Sequence, residues 1–370
     1  MKILVIGHSL VVDSNRKFWS VLAKDQQVDV HLVVPSEWNS NLVNALKFCK
    51  QSATDQELTI HPIPVYFKGS GSFYFYKILQ LYKILENEKY DAIIVTQETW
   101  SLSAFQLGFL KKITKNAKTP AHLSLCQNII KPQLKFAQPF ERLITSFYDT
   151  LFYCDSAICS VLDWKKIRNR TAYWPFSFDS DIYKRSSDKL TKTLKIGYLG
   201  RISEEKGLRS LIAAFEELRD ENKIPVQLVI AGNGPLKDLA KGKDIEYLGV
   251  LPHNQAHLFY QKINIFILPS LTMPFWKEQF GRVIVESVAS GVPVIGSSSG
   301  AIPEVLSKIG LKTVFEEGNK SALKKAIIEL WAEMNSDRWG EEMDHYFTNN
   351  MQFSHKAVAE RIYNEITNQR

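Results

Sequence analysis

The chain has 370 residues, 45% of them hydrophobic and 23% charged, with a net charge of +7. That length suits two domains better than one core, and the composition is that of an ordinary soluble globular protein, which excludes a disordered or collagen-like chain. No apolar run approaches the roughly eighteen residues that a membrane span requires. The charge is uneven: residues 1–190 hold 24 Lys and Arg against 17 Asp and Glu, and the remainder holds 22 against 22. An anionic partner is therefore expected on the first half. With no nucleic-acid motif beside it, that partner reads as an anionic membrane surface or a pyrophosphate-linked acceptor, not nucleic acid. Cys49, Cys126, Cys154 and Cys159 form no Cys-x-x-Cys pair and have no histidine at metal spacing. Reduced thiols, a cytoplasmic setting and no zinc follow, with Cys126 and Cys159 expected in the core.

Residues 3–6 read as a first strand, running straight into Gly7-His8-Ser9 with no room for a signal peptide. In open parallel sheets ligands collect at the carboxyl ends of strands, so Gly7 and His8 are candidate contacts. The Gly-x-Gly-x-x-Gly fingerprint is absent, which argues against a dinucleotide. A helix is expected over residues 18–22, a strand over 28–35, a short helix over 43–48, and an edge strand or connection in the Pro-punctuated 61–65. The stretch Tyr66-Phe-Lys-Gly-Ser-Gly-Ser-Phe-Tyr-Phe-Tyr-Lys77 has a flexible centre between aromatic and basic flanks. It reads equally as an acceptor-side loop or as plain surface. The helix after it either turns Ile78, Leu81, Tyr82 and Leu85 to the core or lies on a membrane interface.

Residues 90–96 form a strand ending in Gln97-Glu98-Thr99-Trp100, so Glu98 and Trp100 join His8 as acceptor-side candidates. The next helix ends in a basic face of Lys111, Lys112, Lys115 and Lys118, which complements its dipole or meets a membrane. The strand at 121–126 carries His122 inside and ends in Gln127-Asn128, whose amides can donate hydrogen bonds but cannot move a proton. Residues 155–160 are expected as the last strand of a first domain, 1–178. The polar residues 179–193 read as a linker to a second domain, 194–354. Within that linker Asp179-Ser-Asp181 reads as a solvated turn, although such a pair could hold a metal against a diphosphate.

The second half restarts the pattern. A strand at 195–199 leads to Gly200-Arg-Ile-Ser-Glu-Glu-Lys206-Gly207, and Leu208, Leu211, Ile212, Phe215 and Leu218 then recur at helical spacing. This is the layout of a phosphate cradle, with Arg201 able to fork onto a diphosphate and Lys206 adding a point charge. Strands follow at 226–231, 245–248 and 265–269, the last a buried apolar run. Glu278 then lies in a loop before Gly281, a helix runs over 282–290, and Gly291 with Pro293 stops it before a strand at 292–295. One carboxylate thus sits at a helix mouth and a second, Glu286, inside the helix. A helix N-terminus offers free N–H groups to phosphate, carboxylates accept from sugar hydroxyls, and Gly281 permits close backbone approach. A nucleotide sugar fits all three features. A solvated loop acid and a helix-surface acid fit the spacing equally well.

Glu278-x7-Glu286, followed by Gly291-Val-Pro-Val-Ile-Gly296 and Gly300-x-x-Pro-Glu304, resembles the signature of glycosyltransferase family 4. Gly200-Arg201-x4-Lys206-Gly207 matches a second block of that family. The likeness covers the second half, and the first half matches in layout only. It implies an α/β, GT-B fold of two doubly wound Rossmann-like domains facing across a cleft, with a last helix, 355–370, packing back on the first domain. The implied activity is retaining transfer of a hexose from a nucleoside diphosphate sugar to a saccharide or lipid-linked hydroxyl in polysaccharide or glycoconjugate biosynthesis. The thiols and the basic first half lead to an expected setting in the cytoplasm or on the inner face of the membrane, and the resemblance implies no cofactor and no obligatory metal. By the same resemblance Arg201 and Lys206 hold the donor diphosphate, and Glu278 orients the sugar beside the backbone of Gln279, Phe280 and Gly281. Glu286 binds the ribose, Val250 and Leu251 lie by the base, and Gly7 is all this chain offers of a Gly-rich donor loop. A histidine expected near residues 127–128 is missing, and Asn128 or Gln127 stands there instead. Two rivals stay open: a nucleotide-sugar epimerase of similar fold, with Glu98 as its first-half acid, and a non-catalytic nucleotide-sugar-binding subunit.

Overall fold

The computed structural model describes residues 1–39, 46–47 (backbone only), 55–126, 130, 137–185, 192–221, 225–252 and 255–368. It divides into two compact units, Met1–Pro175 with His355–Arg370, and Phe176–Ser354. The first unit is built on near-continuous apolar runs, which suit strands buried on both faces of a parallel sheet. These are β1 (Lys2–Ile6), β2 (Asp29–Pro35), β3 (Leu58–Ile63), β4 (Ala92–Val95), β5 (Ala121–Leu125), β6 (Thr150–Tyr153) and β7 (Arg170–Tyr173). All pairings are parallel, in the order β7-β6-β5-β4-β1-β2-β3. The Pro-bearing β3 is at the edge, where a missing N–H costs no ladder bond. Among the described residues, five α-helices connect the strands: α1 (Lys17–Asp25), α2 (Ile78–Asn87), α3 (Leu102–Lys112), α4 (Gln138–Thr145) and α5 (Ser156–Trp164).

The terminal helix His355–Thr367 belongs to this unit. Its Val358, Ala359, Ile362 and Ile366, one face at helical spacing, are buried in the same cluster as Phe18, Trp19 and Leu22 of α1. Four local expectations fail. Residues 155–160 are not a strand: the Asp155 carboxylate accepts from the Ala157 N–H at 2.6 Å and caps α5, whose Ile158, Val161 and Leu162 are the buried i, i+3, i+4 stripe. Ile78 is exposed, because α2 buries only Leu81 and Leu85. Of the residues read as a short helix at 43–48, Leu46–Lys47 pairs as a strand with Glu37–Trp38, and the others lie outside the described residues. Cys126 and Cys159 are half-buried rather than core, Cys154 is buried, and none of the three is in a disulfide, while Cys49 lies outside the described residues.

The second unit repeats the plan with β8 (Leu194–Leu199), β9 (Val226–Ala231), β10 (Ile245–Tyr247), β11 (Ile265–Leu268), β12 (Val294–Ser297) and β13 (Val314–Phe315). Their parallel order is β10-β9-β8-β11-β12-β13. The labelled helices are α6 (Leu208–Asp220), α7 (Arg282–Ala289), α8 (Ile302–Ile309), α9 (Lys320–Met334) and α10 (Trp339–Asn350). Leu211, Phe215 and Leu218 of α6 interlock with Leu323, Ile327 and Leu330 of α9 on one face of the sheet. The unit begins earlier than the expected linker does, since Phe178 and Tyr183 are buried in it and Phe178 bridges to Ser354. Asp179 is accordingly buried, its carboxylate accepting from the Asp181 N–H at 3.0 Å, so the Asp-Ser-Asp turn is not solvated throughout. Among the described residues no helix is long and apolar enough to cross a membrane. Each sheet reverses its order once, between β1 and β4 and between β8 and β11. Those two crevices, at the carboxyl ends of the strands, are where such folds collect ligands.

Candidate active site

In the second unit, glycines let the loops after β8 and β9 stack directly. A Cβ on Gly232 would lie 1.8 Å from the Gly200 carbonyl oxygen, and one on Gly234 would lie 2.1 Å from that of Ile202. The loop after β8 is also zipped to the loop after β11, through Leu271 N–H donating to the Glu205 carbonyl at 2.8 Å. Lys206 ends the first of these loops and Glu278 lies in the second. The Lys206 ammonium meets Glu278 Oε2 at 2.7 Å, and the Ser270 hydroxyl donates to the same oxygen at 2.7 Å. The Trp276 ring lies over that ammonium, 4.7 Å from centroid to Nζ, a cation–π contact. Glu278 is held from behind as well: its carbonyl accepts from Ala301 N–H at 3.0 Å, and Gly300 has no side chain to block the approach. Loops from β8, β11 and β12 thus converge on one buried carboxylate at the switch point.

The remaining donor-side candidates are distributed around this pair. Arg201 is 58% exposed along its side chain, 3.9 Å from Glu205, so its guanidinium stands open to an anion. Gly281 has φ +75° and caps the N-terminus of α7, so the free N–H groups of the first turn begin directly after Gln279 and Phe280. The Phe280 ring is core, packed against Phe176 and Phe353, which leaves only its backbone for a ligand. Val250 is exposed and Leu251 half-buried beyond β10. Glu286 is buried deeper in α7 and accepts from the Tyr260 hydroxyl at 3.2 Å. Burial raises its pKa, an effect that Arg282 and the hydroxyls of Tyr260 and Tyr183 offset in part.

In the first unit the switch point brings His8, after β1, against Gln97, after β4. The Gln97 amide donates to His8 Nδ1 at 2.7 Å and to the Tyr74 hydroxyl at 2.8 Å. That contact assigns His8 the neutral tautomer with hydrogen on Nε2, in keeping with burial holding its pKa down to about 4. Trp38 and Tyr74 wall the ring at centroid distances of 4.8 and 5.6 Å. Gly7 is extended and tightly packed, since a Cβ there would lie 1.9 Å from the Thr96 hydroxyl oxygen. Trp100 donates its indole N–H to Ser72 at 3.1 Å, and the buried Lys165, paired with Glu141 at 2.6 Å, lies over its ring. Glu98 does not face open space: it is buried, and its Oε1 accepts from the Cys126 N–H at 2.8 Å. Asn128, like Gln127, lies outside the described residues.

Lys206 and Glu278 were expected from the motif and are brought together. Ser270, Trp276, Trp38 and Tyr74 were not expected. The signal for Ser270 and Gln97 was available, since each is within two residues of the carboxyl end of a buried strand. For Trp276, Trp38 and Tyr74 no spacing rule gives the contact. The arrangement suits a diphosphate on the Arg201–Lys206 loop and the α7 N-terminus, with a polyhydroxylated group at Glu278 and Ser270.

Residues 179–351 match the family described as Glycosyl transferases group 1. An uncharacterized glycosyltransferase, MJ1607 of Methanocaldococcus jannaschii, is 25% identical over 167 residues, covering 40% of this chain and 41% of that protein. The gpi3 subunit of the Schizosaccharomyces pombe phosphatidylinositol N-acetylglucosaminyltransferase is 34% identical over 138 residues, covering 35% and 28%. The matched stretch thus spans well under half the length of these relatives. The fold is the GT-B fold: the crystal structure of Anabaena Alr3699/HepE in complex with UDP superposes over 100% of both chains with a TM-score of 0.73 at 15% identity.

Proposed function

We propose that this protein is a retaining glycosyltransferase that moves a hexose from a nucleoside diphosphate sugar to a hydroxyl of a saccharide or lipid-linked acceptor. The observation that carries the reading is the Lys206–Glu278 pair at 2.7 Å, set at the switch point of the second sheet. In this reading Arg201 and Lys206 meet the diphosphate, on which negative charge grows as the glycosidic bond breaks. Glu278 and the backbone N–H groups of Gln279 to Gly281 orient the sugar hydroxyls. The base lies by the backbone of Val250 and Leu251, and Glu286 reaches the ribose by sharing or giving up its Tyr260 hydrogen bond. His8 and Trp100 serve the acceptor side, Gly7 lies at the donor edge of β1, Glu98 holds the Cys126 N–H, and Asn128 or Gln127 supplies a hydrogen bond to the transferring sugar where the family carries a histidine. The two cations meet the diphosphate charge, so no metal ion is required. Support for the donor class comes from the family match over 179–351 and from the similar Anabaena fold having been crystallised with UDP.

The test is donor turnover in the absence of an acceptor, followed by proton NMR with UDP-, GDP- and ADP-linked α-hexoses. One donor is expected to be hydrolysed slowly, with the α-anomer of the free sugar appearing before mutarotation. A β-anomer appearing first would overturn retention, and no turnover of any donor would overturn the enzyme reading.

A further inference from the structure

Between Glu57 and Glu86 the sequence carries three lysines and no acid. This stretch folds into a short hairpin, Val65–Tyr66 against Phe75–Tyr76, followed at once by α2. Its inward side chains, Val65, Tyr74, Tyr76, Leu81 and Leu85, are buried. Its outward ones are large and apolar: Leu79 is 75% exposed, Phe67 66% and Phe73 64%, with Ile78 and Tyr66 half or more exposed. Single exposed apolar residues are normal, but five within residues 66–79 form a patch. Tyr66 and Phe67 both rest on Phe75, at 5.0 and 5.9 Å between ring centroids. Phe67 also has φ +54°, a left-handed conformation that a bulky residue adopts only at a cost. The backbone at the hairpin tip is therefore strained in the conformation that leaves this phenylalanine exposed.

We propose that the hairpin and the first turn of α2 form a docking surface for the interface of an anionic lipid bilayer. Aromatic rings with an apolar body suit the headgroup boundary, and lysines set among them reach up to lipid phosphates. Lys77 and Lys83 are exposed, and Lys68 pairs with Glu37 at the rim. A protein partner would bury these ammonium groups and would have to supply acids against them, a costly arrangement. A lipid surface leaves them in the headgroup layer. The net excess of seven cations in residues 1–190 points the same way. The inference is independent of the donor site in the second unit.

Flotation of the full chain with vesicles tests it, using phosphatidylcholine alone and phosphatidylcholine with phosphatidylglycerol, at low and high salt. Binding to the anionic vesicles is expected, weakened by salt, and reduced about tenfold or more in a Phe67→Ser, Leu79→Ser double variant. Both side chains are exposed, so the melting temperature of that variant should match the parent. No binding to anionic vesicles, or equal binding by the variant, would overturn the proposal. A concentration-dependent dimer abolished by the same variant, with no vesicle binding, would assign the surface to a second copy and overturn it equally.

Discussion

Replacing Lys206 by alanine is expected to lower the rate of donor turnover by roughly 10²–10³-fold, with the fold intact. The Nζ is 2.7 Å from Glu278, with Trp276 over it, so these side chains hold the ammonium in position. Removing it takes away a charge where negative charge develops in the transition state, and also leaves a buried carboxylate with the Ser270 hydroxyl as its remaining side-chain donor in that cluster. Glu278→Gln keeps the shape and should cost a similar factor, because a carboxylate accepts from two sugar hydroxyls more strongly than an amide oxygen does. Turnover of the preferred nucleotide sugar, with a melting curve on each variant, checks both. Parental rates in either variant would remove that residue from the proposed roles.

Gly207→Ala should destabilise the second unit by about 2–4 kcal/mol and abolish donor binding with it. Gly207 has φ +67°, and a Cβ there would lie 1.8 Å from the Pro269 carbonyl oxygen. Backbone meets backbone at that point, with no flexible side chain to give way. The loops after β8 and β11 would have to part, breaking the 2.8 Å bond from Leu271 N–H to the Glu205 carbonyl. Gly200→Ala is the control: φ is not left-handed, and the nearest atom to its Cβ would be the Tyr198 hydroxyl oxygen at 3.6 Å. That variant should stay within about 0.5 kcal/mol of the parent in thermal or urea unfolding. Equal stability of the two variants would contradict the packing described here.

Much of the second unit was legible because its signals are local. The strand at 195–199, the glycine loop and the helical stripe from Leu208 each follow from spacing within a few residues, and Gly281 and Gly291 mark where α7 begins and stops. The Lys206–Glu278 contact was legible only through the resemblance, since nothing in one block of sequence says that it meets another. The first unit was harder for a physical reason. Ala157-Ile158-Cys159 is an apolar run too short to show its period, and only the Asp155 cap distinguishes a buried helix from a buried strand there. In α2 the spacing of Ile78, Leu81, Tyr82 and Leu85 gave the helix, but it could not show that the first turn extends past the core. The ring wall around His8 depends on Trp38 and Tyr74, far apart in sequence and joined only by the fold.

The most direct measurement is a calorimetric titration of the full chain with UDP, GDP and ADP, repeated on Arg201→Ala and Lys206→Ala. Arg201 and Lys206 are the two cations of the loop after β8, one exposed and one paired with Glu278. The expected result is saturable binding of one nucleoside diphosphate, weakened at least about tenfold in each variant, consistent with loss of a charge-assisted contact. Binding of none of the three, or binding unchanged in both variants, would contradict the assignment of this loop as the donor cradle.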